Sequence, residues 1–73
     1  MQDSKLQFEA REIIKQGSYE LMFRSMFKNK GIETPKDIRD EINKRNPDLD
    51  EEKLYAVVLA YILWRDKDYD KIR

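Results

Sequence analysis

The sequence contains no cysteine and no histidine, and only two glycines and two prolines among its 73 residues. Without cysteine, neither a disulfide nor a thiolate metal site can form. Without histidine, the chain lacks the commonest metal ligand and the usual base near neutral pH. Catalysis by a Ser-His-acid or Cys-His nucleophile is therefore excluded. We expect a protein that is not an enzyme and that uses neither a metal nor a cofactor.

Carboxylates remain the candidates for acid–base or metal chemistry. Several stand close together at residues 48–52, and we interpret them as the start of a helix, whose dipole favours negative charge there. Residues 46–57 also imitate a calcium-binding loop. However, Glu51 occupies the position that requires glycine, and Val57 occupies the position that requires a bidentate glutamate. The sequence therefore predicts no calcium site in this stretch.

Turn signals divide the chain into four predicted helices. Asp3 or Ser4 is expected to cap the first helix, which Gly17 ends. Ser18 is expected to cap the second helix, which Gly31 closes. The apolar positions of these two helices form one stripe each: Leu6, Ala10, Ile13 and Ile14 in the first, and Tyr19, Met22, Phe23, Met26 and Phe27 in the second.

The start of the third helix carries the sharpest local signal in the sequence. Thr34 supplies a capping hydroxyl, Pro35 takes the first helical position, and Asp37 follows three residues after the cap. This helix has only Ile38 and Ile42 to bury. Asn46-Pro47 ends it, because proline disfavours helical geometry in the preceding residue. Asp48 or Asp50 then opens the fourth helix, which we expect to span about 50–66.

Residues 54–64, LYAVVLAYILW, are an unbroken apolar run in a chain of which 41% is charged. A helix advances about 100° per residue, so this run has apolar residues on every side. A strand is the rival interpretation, but no partner strand is evident elsewhere. We therefore predict an all-α fold, a compact four-helix single domain over residues 1–73 with the C-terminal helix central.

The same run is too short for a membrane. At about 1.5 Å per residue it spans roughly 16 Å, about half of the ~30 Å hydrocarbon core. The first ten residues also lack the basic stretch and apolar core of a signal peptide. We expect a cytoplasmic protein with no membrane partner.

One copy of the chain has few residues with which to cover this helix. Burying each of its nine larger apolar residues stabilises the fold by roughly 1.5–3 kcal/mol. Leaving a third of them exposed to water would therefore lose on the order of 5–8 kcal/mol of stability. We therefore expect a partner, either a second copy in a homodimer or another protein. A monomer with a central helix remains the alternative.

Other apolar side chains point to where such a partner binds. Phe8 and Leu21 face away from the stripes of their own helices. Trp64, with Tyr61 and Tyr69, lies near the end of the fourth helix, and such aromatic residues are enriched at binding hot spots. The candidate interface is Phe8, Leu21, Tyr61, Trp64 and Tyr69. The predicted function is a small, non-catalytic protein-interaction or regulatory module.

The alternative function is nucleic-acid binding by a small helix-turn-helix-like protein. Residues 1–31 carry six basic and four acidic side chains, a net charge of +2, although the whole chain is neutral. This is a mild asymmetry, because phosphate binding is normally driven by a concentrated positive field. The candidate residues of this alternative form a basic face on the first two helices: Arg11, Lys15, Arg24, Lys28 and Lys30.

Overall fold

The computed structural model describes the backbone of residues 2–29 and 31–72 and the side chains of residues 5–29 and 31–66. Within these ranges the chain forms four α-helices and no strand, which confirms the predicted all-α fold. The helices are α1 (Gln2–Gln16), α2 (Glu20–Phe27), α3 (Pro35–Arg45) and α4 (Glu51–Ile72).

Helix α3 begins as its sequence predicts. The side-chain oxygen of Thr34 accepts a hydrogen bond from the Asp37 backbone N–H at 3.1 Å, and the Asp37 carboxylate accepts one from the Thr34 backbone N–H at 3.4 Å. This capping box satisfies two backbone donors that the helix itself leaves unpaired. The hydrogen bonds from Thr34 lower the pKa of the Asp37 carboxyl below its ordinary value of 3.8.

Helix α4 begins at the second of its two predicted caps and runs past its predicted end. Asp50 Oδ1 accepts a hydrogen bond from the Lys53 backbone N–H at 2.8 Å, so Asp50 is the capping residue and Asp48 is not. The helix continues to Ile72, beyond the predicted end near residue 66. No glycine or proline follows Trp64, so nothing in the local sequence ends the helix earlier.

Of the two predicted boundaries of α1, the end is confirmed and the start is not. Gly17 ends the helix with φ of 70°, and its N–H reaches the carbonyl oxygens of Ile13 and Ile14 at 3.1 Å each. Glycine adopts this left-handed conformation without a steric penalty. The prediction that Asp3 or Ser4 caps the start is wrong, because α1 already begins at Gln2 and both residues lie inside it.

The predicted boundaries of α2 are wrong at both ends. The turn at Gly17 places Tyr19 at the cap position, without a side-chain hydrogen bond, so Ser18 is not the cap. At the other end the helix stops at Phe27, well before Gly31. The Asn29 N–H bonds the Met26 carbonyl at 3.0 Å, and the Asn29 side chain accepts from the Gly31 N–H at 2.9 Å. This local turn replaces the last predicted helical residues.

Helix α4 is central, as predicted: α1, α2 and α3 all pack against it, and its contact with α1 is the most extensive. Helix α3 contributes Ile38 and Ile42, which are 1% and 0% exposed. The second-helix stripe is buried only in part, since Phe27 is 43% exposed. The remaining core residues come from the other helices and the loop before α3: Ala10, Ile13, Phe23, Met26, Ile32, Leu54, Ala56, Val57, Val58, Ala60 and Tyr61.

Across the part of the chain that the structure describes, no helix combines the length and the apolar content needed to cross a bilayer.

Candidate protein-interaction surface

Burial along α4 is one-sided. Ala56, Val57, Ala60 and Tyr61 are at most 1% exposed, and Leu54 and Val58 are also buried. At 100° per residue these side chains occupy a continuous arc, which we call the inner face of α4. Helices α1, α2 and α3 cover this face. The positions on the opposite side of the helix, Tyr55, Leu59, Ile62, Leu63 and Asp66, form what we call the outer face.

The outer face is apolar over most of its length and is not fully covered. Tyr55 is 44% exposed, and Leu59, Ile62 and Leu63 are half-buried at the margins of the core. The side chain of Asp66 is 71% exposed and ends the face. From Tyr55 to Asp66 the face extends roughly 16 Å along the helix axis. One copy of the chain thus leaves a narrow apolar strip in contact with water.

An arginine from α3 lies at the amino-terminal end of this strip. The guanidinium carbon of Arg39 is 5.7 Å from the centroid of the Tyr55 ring, a cation–π distance. Among the ion pairs of the described side chains, none involves Arg39. The outer face therefore has a positive charge at one end, beside Tyr55. At the other end is the carboxylate of Asp66, which lies 4.0 Å from the guanidinium of its chain neighbour Arg65.

Of the aromatic interface candidates, Tyr61 belongs to the core. It is 1% exposed, and its ring centroid lies 5.4 Å from that of Phe23 and 5.9 Å from that of Trp64. A partner cannot contact this side chain directly, so the sequence-based assignment of Tyr61 to the interface is corrected. Burial raises the pKa of the Tyr61 hydroxyl, and the nearby Arg65 acts in the opposite direction.

Trp64 occupies an intermediate position. It is half-buried and packs against Phe23 at 5.6 Å and Phe27 at 6.0 Å between ring centroids. It lies on the side of α4 that faces α2, not on the outer face. Tyr69, the remaining aromatic candidate, lies outside the residues whose side chains are described.

The other two candidates, Phe8 and Leu21, are strongly exposed, at 64% and 85%. Each faces away from the apolar stripe of its own helix, as the sequence predicts. They lie on α1 and α2, which pack against the inner face of α4, so neither belongs to the outer face. The structure thus leaves them as separate exposed side chains, and isolated exposed apolar residues are common on protein surfaces.

The basic residues of the nucleic-acid alternative are exposed but partly neutralised. Arg24 forms a 2.9 Å ion pair with Glu20, and Lys15 lies 4.0 Å from Glu12. Arg11 is exposed on α1, and Lys28 is exposed at the C-cap of α2. Lys30 lies outside the described residues. The positive field of this region is weaker than its count of basic residues suggests, since acidic neighbours on the same helices oppose it.

Sequence reasoning missed most of the outer face. It identified the apolar run as a whole, but not Tyr55, Leu59, Ile62 and Leu63 as the members that the fold leaves uncovered. A signal was present, because Tyr55, Leu59, Ile62 and Asp66 follow one another at intervals of four, three and four residues. This spacing is that of a helix seam that meets another helix. Arg39 had no comparable signal, since its position beside Tyr55 depends on how α3 packs.

The structure also describes a cavity between α1, α2 and α4. It is lined by Ile13, Ile14, Gly17, Glu20, Phe23 and Trp64, and its volume of about 20 Å³ has room for a single water molecule. It is too small for a substrate or cofactor. In residues 5–29 and 31–66, no three acidic side chains gather into a group that could hold a metal ion.

The chain matches no protein-family model, no curated protein and no solved structure.

Proposed function

We propose that this chain is a small, non-catalytic protein-interaction module that acts through the outer face of α4. The observation that carries the proposal is the partly covered apolar strip on the helix whose opposite side forms the core. Burying apolar surface is the main favourable term in protein association, and this strip is the part of the central helix that the fold leaves available.

The position of the strip favours binding. The inner face of α4 is held by three other helices, so the backbone that presents the outer face is already fixed before a partner arrives. A preorganised surface loses less conformational freedom on binding than a flexible one. Tyr55 and Arg39 add the two kinds of side chain that most often contribute strongly to binding energy at interfaces.

A protein partner fits this surface better than a nucleic acid. Three of the five outer-face side chains are aliphatic, and its charged end residue is acidic, whereas a nucleic acid requires a basic surface. The basic residues of α1 and α2 lie elsewhere, and two of them have acidic neighbours within 4.0 Å. We propose that the module is cytoplasmic and regulatory, occupying or covering a surface of its partner.

Photo-crosslinking in the native cells tests the proposal directly. A benzophenone amino acid placed at Leu63 should give a covalent protein adduct under light, because this position belongs to the outer face. The same amino acid at Lys44, an exposed position on α3, is the matched control and should give little adduct. Both variants must keep the wild-type circular dichroism spectrum. The absence of any adduct from Leu63, or equal adducts from both positions, would contradict the proposal.

The nucleic-acid alternative has its own outcome. Retardation of a mixed DNA pool that weakens with added salt, and that is lost when Arg11 and Lys28 are both changed to glutamate, would replace protein binding as the proposed function.

A further inference from the structure

The spacing along the outer face indicates what kind of element covers it. Tyr55, Leu59, Ile62 and Asp66 follow the four-three-four spacing of a coiled-coil seam, which packs against another helix. Leu59 and Ile62 are the apolar centre of this seam. Tyr55 with Arg39 lies at one end, and Asp66 lies at the other.

We propose that the outer face binds a second copy of this chain, with the two α4 helices antiparallel about a two-fold axis between Leu59 and Ile62. This inference rests on the proposed function and names its partner. In this register Leu59 of each copy faces Ile62 of the other, so the apolar centre of the seam is buried twice. The same register brings Asp66 of each copy to the Tyr55 end of the other.

Charge complementarity selects this arrangement. Arg39 lies over Tyr55, and no described carboxylate lies within 4.0 Å of it. In the antiparallel pair, Asp66 of the second copy approaches this guanidinium, and the two-fold axis repeats the contact. In a parallel pair Asp66 would meet Asp66, and Arg39 would meet Arg39. Like charges oppose that orientation, so the charges set the direction of the two helices.

Glu52 is the acidic side chain that works against the pairing. It lies one turn before Tyr55 on the same side of α4, and it repels the incoming Asp66. Arg39 is therefore the residue that makes this end of the face acceptable to a carboxylate. Removing its charge should affect association more than its exposed position suggests.

The size of the strip sets the strength of the pair. A contact roughly 16 Å long and one helix face wide covers on the order of 300–400 Å² per copy, which is below the ~600 Å² per partner at the low end of stable interfaces. Interfaces of this size are typically transient. The pair should therefore form reversibly, and it should dissociate on dilution.

Sedimentation equilibrium between about 10 µM and 1 mM measures this association. The wild-type chain should show a concentration-dependent rise in mass toward two copies. Arg39→Glu and Asp66→Lys should each weaken the dimer by about tenfold or more, because each variant places like charges opposite one another. Lys44→Glu reverses an exposed charge on another side of α3, and this control should leave the dissociation constant unchanged.

Mixing the two charge variants is the decisive step. An equimolar mixture of Arg39→Glu and Asp66→Lys chains restores opposite charges at both ends of the seam, so heterodimers should form with near wild-type affinity. Both substitutions are at exposed residues, and thermal melting should show that each variant is folded. Two results would overturn the antiparallel pair. One is a dissociation constant that neither substitution changes, and the other is a mixture of the two variants that does not recover the wild-type affinity.

The failure of this inference can be told apart from the failure of the proposed function. A chain that stays monomeric up to 1 mM overturns the homodimer. If the benzophenone at Leu63 nevertheless captures a different protein, the outer face is an interaction surface with another occupant. If it captures neither this chain nor another protein, both proposals fail.

Discussion

The inner and outer faces of α4 come from the same apolar run but have different surroundings. On the inner face, Val57 and Ala60 are 0% exposed. On the outer face, Tyr55 is 44% exposed and Leu59 is half-buried. Hydrophobicity does not distinguish the two faces, since both are apolar. Side-chain size does, because two alanines lie on the inner face and none lies on the outer face.

The alanines indicate how the inner face of α4 is packed. Ala56 and Ala60 on α4 and Ala10 on α1 are all 0% exposed, and α1 makes the most extensive contact with α4. Small side chains allow helices to approach closely, whereas bulkier ones hold them apart. The inner face of α4 thus combines these alanines with larger buried side chains such as Tyr61 and Leu54.

The largest expected effect comes from placing a charge on each face in turn. Val57→Asp should prevent folding, because an unpaired carboxylate at a fully buried position costs several kcal/mol in a domain whose total stability is about 5–15 kcal/mol. Tyr55→Asp, two residues earlier on the outer face, should leave a folded chain. Circular dichroism with thermal melting checks both variants. Equal melting of the two would mean that α4 has no inner and outer side.

Added volume should give the next largest difference. Ala60 is 0% exposed, so Ala60→Leu inserts a bulky side chain into a filled part of the core. Overpacking of this kind costs about 1–3 kcal/mol. In a domain of this size, each kcal/mol lowers the melting temperature by about 4–8 °C. Lys53→Leu, at an exposed position of the same helix away from the outer face, should change stability by less than ~0.5 kcal/mol. An unchanged melting temperature for Ala60→Leu would show that the inner face is loosely packed.

A smaller effect concerns α3, one of the helices that covers the inner face. Thr34→Ala removes the capping hydrogen bond to Asp37 and should destabilise the fold by about 1 kcal/mol. Ser18→Ala is the matched control, since the structure gives Ser18 no capping role. Urea unfolding should separate the two variants. A larger loss for Ser18→Ala would restore the cap that the sequence predicts for α2.

The pH dependence of stability should also reflect this cap. Hydrogen bonds from Thr34 lower the pKa of Asp37 in the folded state. Their contribution to the free energy of unfolding is therefore present above the ordinary pKa of 3.8 and is lost as the pH falls below that value. Thr34→Ala should therefore flatten the acid side of the stability profile. Unfolding midpoints between about pH 2 and pH 6 measure the change. A Thr34→Ala profile as steep as that of the wild type would contradict it.

The smallest effect is expected from the ring that is buried on the inner face. Burial raises the folded-state pKa of Tyr61 above its ordinary value of 10.0, so the folded state resists ionisation of this hydroxyl. The resulting change in the free energy of unfolding depends on pH. The contribution of the un-ionised Tyr61 hydroxyl is complete below pH 10 and is lost as the pH rises through the folded-state pKa. Tyr61→Phe should therefore lose less stability than the wild type above pH 10. Urea unfolding at several alkaline pH values checks this, and parallel profiles would contradict it.

The elements that the sequence predicted well depend on neighbours close in the chain. The start of α3 is an example, because Thr34 and Asp37 form its cap without help from other helices. The ends of α2 failed because the turn at Gly17 moved the cap to Tyr19, and the side chain of Asn29 formed a competing turn with Gly31. More than one helix cap or turn was compatible with the sequence at these ends, and the sequence alone did not indicate which one forms.

The candidate site was predicted less well, for a reason that concerns tertiary packing. An eleven-residue apolar run marks α4 as central, but it has apolar residues on every side, so hydropathy alone does not separate its two sides. Only the packing of α1 and α3 decides that Tyr61 is inside and Tyr55 outside. Arg39 illustrates the same limit, since its place beside Tyr55 follows from the docking of α3 against α4.

The dominance of the α1–α4 contact has a consequence for how this chain is made. Two other helices separate α1 from α4 along the chain, so their contact closes a loop that contains both α2 and α3. While a ribosome is still adding α4, the preceding helices have no central helix to pack against, and their apolar stripes stay open to chaperones or to other nascent chains. The core can therefore form only after α4 has been synthesised and has left the ribosome.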